Sequence, residues 1–165
     1  MSDHGEVIDR LEKATVGLDT PFAAVDLTTL RANAADLERR AAGRSIRVAS
    51  KSVRCRAVLE EVLGSDLTAR GGFRGIMSFA LPEAIWLARL GAADILMGYP
   101  TVDRAALGEL DADLLARIVL MVDDVAQLDL LPAGARVCLD VDASLRVGPL
   151  HLGARRSPVH DPDEI

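Results

Sequence analysis

Apolar residues recur along this chain in short blocks of two kinds. Between residues 27 and 41, Leu27, Leu30, Ala34, Leu37 and Ala41 fall three or four positions apart, with Arg31, Asp36, Glu38 and Arg39 on the opposite side. That period predicts an amphipathic helix. Asp26 stands where a side-chain oxygen can satisfy the free amides of the first turn, and Gly43 where the helix should stop. Residues 6–13 carry Val7, Ile8 and Leu11 and predict a short helix ahead of the Thr20-Pro21 break, with 22–25 as a short extended piece.

From residue 46 onward the second kind of block alternates with the first. Residues 46–50, 75–79, 94–97, 117–122 and 136–141 are near-continuous apolar runs that predict strands. Helices are expected at 56–63, from Pro82 and Glu83 to Leu90, from Asp103 to Leu110, and from Asp123 and Asp124 to Leu131. Proline followed by a carboxylate suits a helix start, because the missing amide is not needed there and the helix dipole favours negative charge. Strands that do not alternate in polarity, joined through helices by short turns, point to a parallel sheet buried on both faces. An open doubly wound sheet and part of a (β/α)8 barrel both fit.

Composition narrows the function more than the fold. The 165 residues are 50% hydrophobic and 27% charged, enough for one globular domain with a sizeable core. A formal net charge of −6 argues against nucleic acid or an anionic membrane as partner. No apolar run approaches the roughly 18 residues that a membrane span needs. The opening residues show no basic region followed by an apolar one, so no secretory leader is expected. Cys55 and Cys138 follow no metal or redox spacing and read as reduced, buried thiols of a cytoplasmic protein.

The residue with chemistry to offer is Lys51, directly after the strand at 46–50. Reactive groups of parallel α/β proteins collect at the C-terminal ends of strands. An amine there is suited to forming an imine with an aldehyde such as pyridoxal 5'-phosphate. Position alone favours a surface cation in a loop over a reactive amine.

The segments around Lys51 add a resemblance. Residues 20–33, TPFAAVDLTTLRAN, are similar to the opening "TPxxxxDLxxLxxN" of the alanine racemase N-terminal domain family, which is also found in D-threonine aldolases. RVASKSV (47–53) resembles that family's first strand with its cofactor lysine. GIMSFALPEA (75–84) resembles its second strand and "EA" helix, and DILMGYP (94–100) its third strand in the D-threonine aldolase form. The resemblance runs from about residue 20 to about 160. It implies a fold-type III, pyridoxal-phosphate-binding TIM barrel, of which about five of eight strands are present. Residues 1–19 would be an N-terminal extension and 20–165 an incomplete barrel, without the family's C-terminal β domain.

Under that resemblance Lys51 is the catalytic, cofactor-binding lysine. Arg54 falls where relatives place a basic or tyrosine side chain near the phosphate, and equally fits an exposed arginine at a helix start. Tyr99 ends a strand, where it either lines the pocket or packs under a loop. An arginine expected soon after the fifth strand in a "DxGxxRxG" pattern is out of register, with Arg146 one residue early and Arg155 late. Asp140 and Asp142 offer carboxylates, Asp142 reading as a loop anchor. His151 and His160 read as solvent-facing, with no histidine at metal-ligand spacing. The implied substrate is an amino acid, a small-molecule partner. The implied activity is that of an aldolase or deaminase, with DILMGYP and RRSPVH favouring that branch over a racemase. A non-catalytic cofactor-binding module, a remnant of a longer gene and an unrelated doubly wound domain are the other readings. An unclosed sheet would leave the backbone of its last strand unpaired, so self-association is expected.

Overall fold

A computed structural model describes residues 4–161 of the chain, whose backbone falls into two compact units, one ending at Ser45 and one starting at Ile46. The first holds α1 (His4–Thr15) and α2 (Leu27–Ala41). The N-terminus of α2 is capped as its sequence requires, with the Asp26 carboxylate accepting the Thr29 amide at 2.7 Å. Ala42 and Gly43 both take positive φ, 50° and 84°, and end it. Arg10 reaches the same Asp26 carboxylate at 3.0 Å and so ties α1 to the cap of α2. Residues 22–25 pair with no strand. The sequence groups α2 with the strands that follow; the backbone groups it with α1.

The second unit runs β1 (Ile46–Ala49), α3 (Ser50–Val53), α4 (Arg56–Leu63), β2 (Ala69–Arg70), β3 (Phe73–Ser78) and α5 (Leu81–Arg89). It continues with β4 (Ile95–Met97), α6 (Arg104–Gly108), α7 (Ala112–Arg117), β5 (Ile118–Val122), α8 (Val125–Leu128) and β6 (Arg136–Leu139), and ends in a hairpin of β7 (Leu145–Val147) and β8 (Leu150–Leu152). Five strands pair in parallel in the order β1-β3-β4-β5-β6, with β2 antiparallel on β3.

That order decides between the two architectures. A parallel crossover is right-handed almost without exception, so strands that always advance in one direction put every crossover on the same face. A doubly wound sheet needs a reversal to cover both faces, and none occurs. Burial follows: Ile76, Ser78, Ile95, Met97, Ile118, Leu120 and Val122 are buried, while the alternate residues Met77, Leu96, Val119 and Met121 are only half-buried. One face is under helices and the other is only partly covered, which is the arc of a barrel wall. The fold is TIM-barrel-like α/β, and the sheet is not closed among the described residues. The expectation of strands covered on both faces is corrected accordingly.

The covered face is made dry mainly by α4 and α5. Leu59 and Leu63 of α4, and Leu81, Ala84, Ile85, Leu87 and Ala88 of α5, are buried against the sheet. Each fully enclosed Leu or Ile contributes roughly 1.5–3 kcal/mol over its exposed state. The connection expected to hold one helix between β4 and β5 holds two, because Asp103 and Asp111 each cap a turn of their own, on Ala106 and Leu114.

A polar tie crosses the N-terminal half of the sheet. Arg47 on β1 meets the Asp94 carboxylate at 3.0 and 2.8 Å, a bidentate pair that passes over β3. It passes at Gly75, whose φ is +71°, and where an added Cβ would lie 2.6 Å from Asp94 Oδ2 and 2.7 Å from Arg47 Nη1. Gly75→Ala therefore both strains the backbone and pushes the pair apart. A loss of about 2 kcal/mol or more is expected by urea unfolding; a change of less than about 0.5 kcal/mol would place the substitution among neutral surface changes instead.

Candidate active site

The C-terminal ends of four parallel strands supply side chains to one patch. After β1 the chain turns at once into α3, a four-residue helix, and Lys51 is its second residue, half-buried. The helix closes at Arg54, which takes a left-handed φ of 47° and donates its amide to Ser50 O at 2.7 Å. Phe79 follows β3, Tyr99 follows β4 by way of Gly98, and Asp140 follows β6, its amide donated to Val122 O at 2.9 Å.

These groups meet around the Tyr99 ring. The Lys51 ammonium lies 5.0 Å from the ring centroid and the Arg156 guanidinium 5.3 Å. Phe79 sits edge-on to Tyr99 at 5.1 Å, with the Arg54 guanidinium 5.6 Å from the Phe79 centroid. Each cation–ring contact contributes only about 0.5–1 kcal/mol at a site this open. The rings are 46% and 43% exposed, so they form a platform with cations at its margin, not a sealed pocket. Asp140 lies 3.6 Å from Arg156 and offsets part of that charge. A cavity of about 390 Å3 adjoins the patch, lined by Ser50, Arg54, Cys55, Phe79, Glu83 and Trp86.

Of the residues singled out in sequence, Lys51, Arg54 and Tyr99 come together here, and Arg146 and Arg155 do not. Those two line a separate polar cavity of about 410 Å3 at the β7–β8 hairpin, with Asp142, His151, Ser157 and His160. The arginine on the Tyr99 ring is Arg156, which sequence spacing passed over. Cys55, expected buried, is exposed at the N-cap of α4, and Cys138 is half-buried; both are free thiols.

Asp142 anchors its loop as expected. Its amide donates to Val159 O at 2.7 Å and its carboxylate accepts the Ser144 amide at 2.9 Å. His151, expected to face water, is instead enclosed with an 11% exposed side chain, its Nε2 3.9 Å from Asp142 Oδ2. The β7–β8 turn brings the two together, Arg146 standing opposite His151 in the register. Hydrogen bonding from the Ser144 hydroxyl and amide, with smaller help from His151 and His160, holds the Asp142 carboxyl below its ordinary 3.8.

The family model for the alanine racemase N-terminal domain matches residues 25–157. The chain belongs to that family. No curated protein and no solved structure is matched. The match begins just before α2 and takes in every side chain of the platform, Lys51, Phe79, Tyr99 and Arg156 among them. Alanine racemase N-terminal domains are TIM-barrel-like, as the one-directional strand order here is, and as a family they bind pyridoxal phosphate. The residues present suit such a group: one amine at a strand end, two aromatic rings beside it, and arginines for anionic oxygens. No helix among the described residues is long and apolar enough to cross a membrane, and no three His, Cys, Asp or Glu side chains among them converge as a metal site.

The lowered Asp142 carboxyl gives a signed pH dependence. A depressed folded value stabilises the hairpin loop fully above 3.8 and loses that contribution as pH falls through the lower folded value. Carboxylate NMR should therefore show Asp142 titrating below 3.8, and Asp142→Asn should remove this acid sensitivity while loosening the hairpin. A midpoint at or above 3.8 contradicts the geometry.

Proposed function

We propose that the chain carries the cofactor-anchoring part of a pyridoxal-phosphate enzyme acting on a small amino acid in the cytoplasm, with Lys51 as the anchor. The observation that carries this is the Lys51 amine at the end of β1, facing a tyrosine that also bears an arginine, in a chain of this family. When bound, pyridoxal phosphate supplies an electron sink for charge developing at the substrate's α carbon. Lys51 would hold the group through its amine, the one amine that the described residues bring to this patch, and the same amine is placed to carry a proton there. Tyr99 and Phe79 would pack against it, while Arg54 and Arg156 would meet its anionic oxygens. Asp140 keeps Arg156 oriented through their 3.6 Å contact.

Within the family, DILMGYP and RRSPVH support the D-threonine aldolase or deaminase branch over a racemase. A non-catalytic binding module is the second reading, favoured by the exposure of both rings. The same reading makes this 165-residue chain self-associate. The end strand β6 exposes Val137, 47% accessible, along an edge that meets no further strand among the described residues. Sedimentation should show a dimer or larger species at micromolar concentration, and a monodisperse monomer opposes it.

The deciding experiment is incubation with pyridoxal phosphate, borohydride reduction and mapping of the label. Label should fall on Lys51 and vanish in Lys51→Ala; label spread over surface lysines defeats the proposal. Arg156→Ala should weaken cofactor binding by roughly 1.5–3 kcal/mol, tenfold or more, as loss of a charged hydrogen bond does. Arg146→Ala and Arg155→Ala should change it little. Turnover of D-threonine or D-serine that is lost in Lys51→Ala separates enzyme from binding module, and interconversion of alanine enantiomers would point to the racemase branch.

A further inference from the structure

Ser50 immediately precedes Lys51 and is 1% exposed. Its hydroxyl lies 2.7 Å from Glu83 Oε1 and 3.1 Å from Met77 O. The other carboxylate oxygen of Glu83 accepts the Phe79 amide at 2.9 Å. Glu83 sits in the first turn of α5, where the helix dipole favours a negative charge. A capping role accounts for the bond to Phe79, four residues back, because a carboxylate in the first turn commonly reaches an amide at the helix start. It does not account for Oε1, which leaves its own helix to hold a buried hydroxyl at the end of β1.

The two bonds act on two sides of the platform. One fixes the residue beside Lys51, the other the peptide of Phe79, whose ring packs on Tyr99, the ring that faces the Lys51 amine. Contacts at the platform itself are weak and open, so something beneath must set the distance between amine and rings. Leaving the buried Ser50 hydroxyl unpaired costs more than any single cation–ring contact here contributes.

We propose that Glu83 is a positioning residue for Lys51. It acts through Ser50 to hold the start of α3, and through the Phe79 amide to hold the ring opposite. The proposal rests on the reading of Lys51 as the cofactor anchor, and it specifies what holds that amine in place. It is geometric, not electrostatic: glutamine at 83 can accept the Phe79 amide through its oxygen and donate to Ser50 Oγ through its nitrogen, Ser50 then donating to Met77 O. Both ties survive without the charge.

The test uses the full chain, with Glu83→Gln, Glu83→Ala and Ser50→Ala. One readout is the pyridoxal phosphate concentration at which half of Lys51 is fixed by borohydride. The other, taken without cofactor, is hydrogen exchange at the Phe79 and Arg54 amides. Glu83→Ala should raise the half-labelling concentration about tenfold or more and speed exchange at both amides similarly, while Glu83→Gln stays within about threefold on both. Ser50→Ala, which leaves the α5 cap intact, should reproduce the labelling loss and the faster Arg54 exchange while sparing Phe79. Unchanged labelling in Glu83→Ala, or in Ser50→Ala if that variant alone folds, overturns the proposal. So does a Glu83→Gln protein as impaired as Glu83→Ala, which would make the charge the active element. Should the unaltered chain take no label at Lys51, the functional reading falls while the exchange comparison still decides whether Glu83 holds α3.

Discussion

The hand of the crossover connections governs nearly everything else in the second unit. The parallel strands lie in chain order, β1-β3-β4-β5-β6, and since such returns are right-handed almost without exception, each advances in the same direction. Helices therefore accumulate on one face, and the opposite face, with Met77, Leu96, Val119 and Met121, is left to be covered by curvature of the sheet onto itself. The same constraint lines up the C-terminal strand ends side by side. Lys51, Phe79, Tyr99 and Asp140 each follow a different strand, yet they meet because consecutive strands are neighbours.

Nearness of strand ends does not by itself fix angstrom-scale geometry, and two polar ties do that work at opposite ends of the sheet. At the N-terminal half, Arg47 and Asp94 lock β1 to the entry of β4 over the gap left by Gly75. At the C-terminal end, Ser50, Glu83 and the Phe79 amide join β1, β3 and α5. The two differ in exposure. The Arg47 and Asp94 side chains are 32% and 41% accessible, so solvent screening limits that pair and its bidentate fit matters more than its charge. The Ser50 hydroxyl is buried, so leaving it unpaired would cost its full desolvation.

Much of this was readable in the chain. The α2 stripe and its Asp26 cap, the five parallel strands and the helices α4 and α5 follow from periods of burial and from local capping chemistry, and they lie within a residue or two of expectation. The strand order was not readable, because apolar runs encode burial and not which run pairs with which; the family resemblance supplied the barrel. α3 escaped because a four-residue helix has no period to detect. The β7–β8 hairpin did leave a signal. Gly148-Pro149 lies between the alternating Leu145, Val147, Leu150 and Leu152, and Gly148 takes the positive φ, +56°, that a tight hairpin turn requires there. Missing the hairpin is also what put His151 in solvent.

The same hairpin explains why spacing and geometry point to different arginines. A fixed pattern after the fifth parallel strand assumes that the chain leaves the strand and passes the site once. Here it leaves at Asp140, folds through β7 and β8, and returns, with the Asp142 amide bonded to Val159 O at 2.7 Å to close the excursion. The residues between are an elaboration whose length is free to vary, since loop closure grows only slowly with the number of residues enclosed. Counting forward from the strand therefore lands on Arg146, inside the excursion, or on Arg155, which lines the hairpin cavity. The residue that the return carries back over Tyr99, beside Asp140, is Arg156. What relates it to Lys51 is a shared ring, and that relation survives changes in loop length that any sequence pattern would register as a departure.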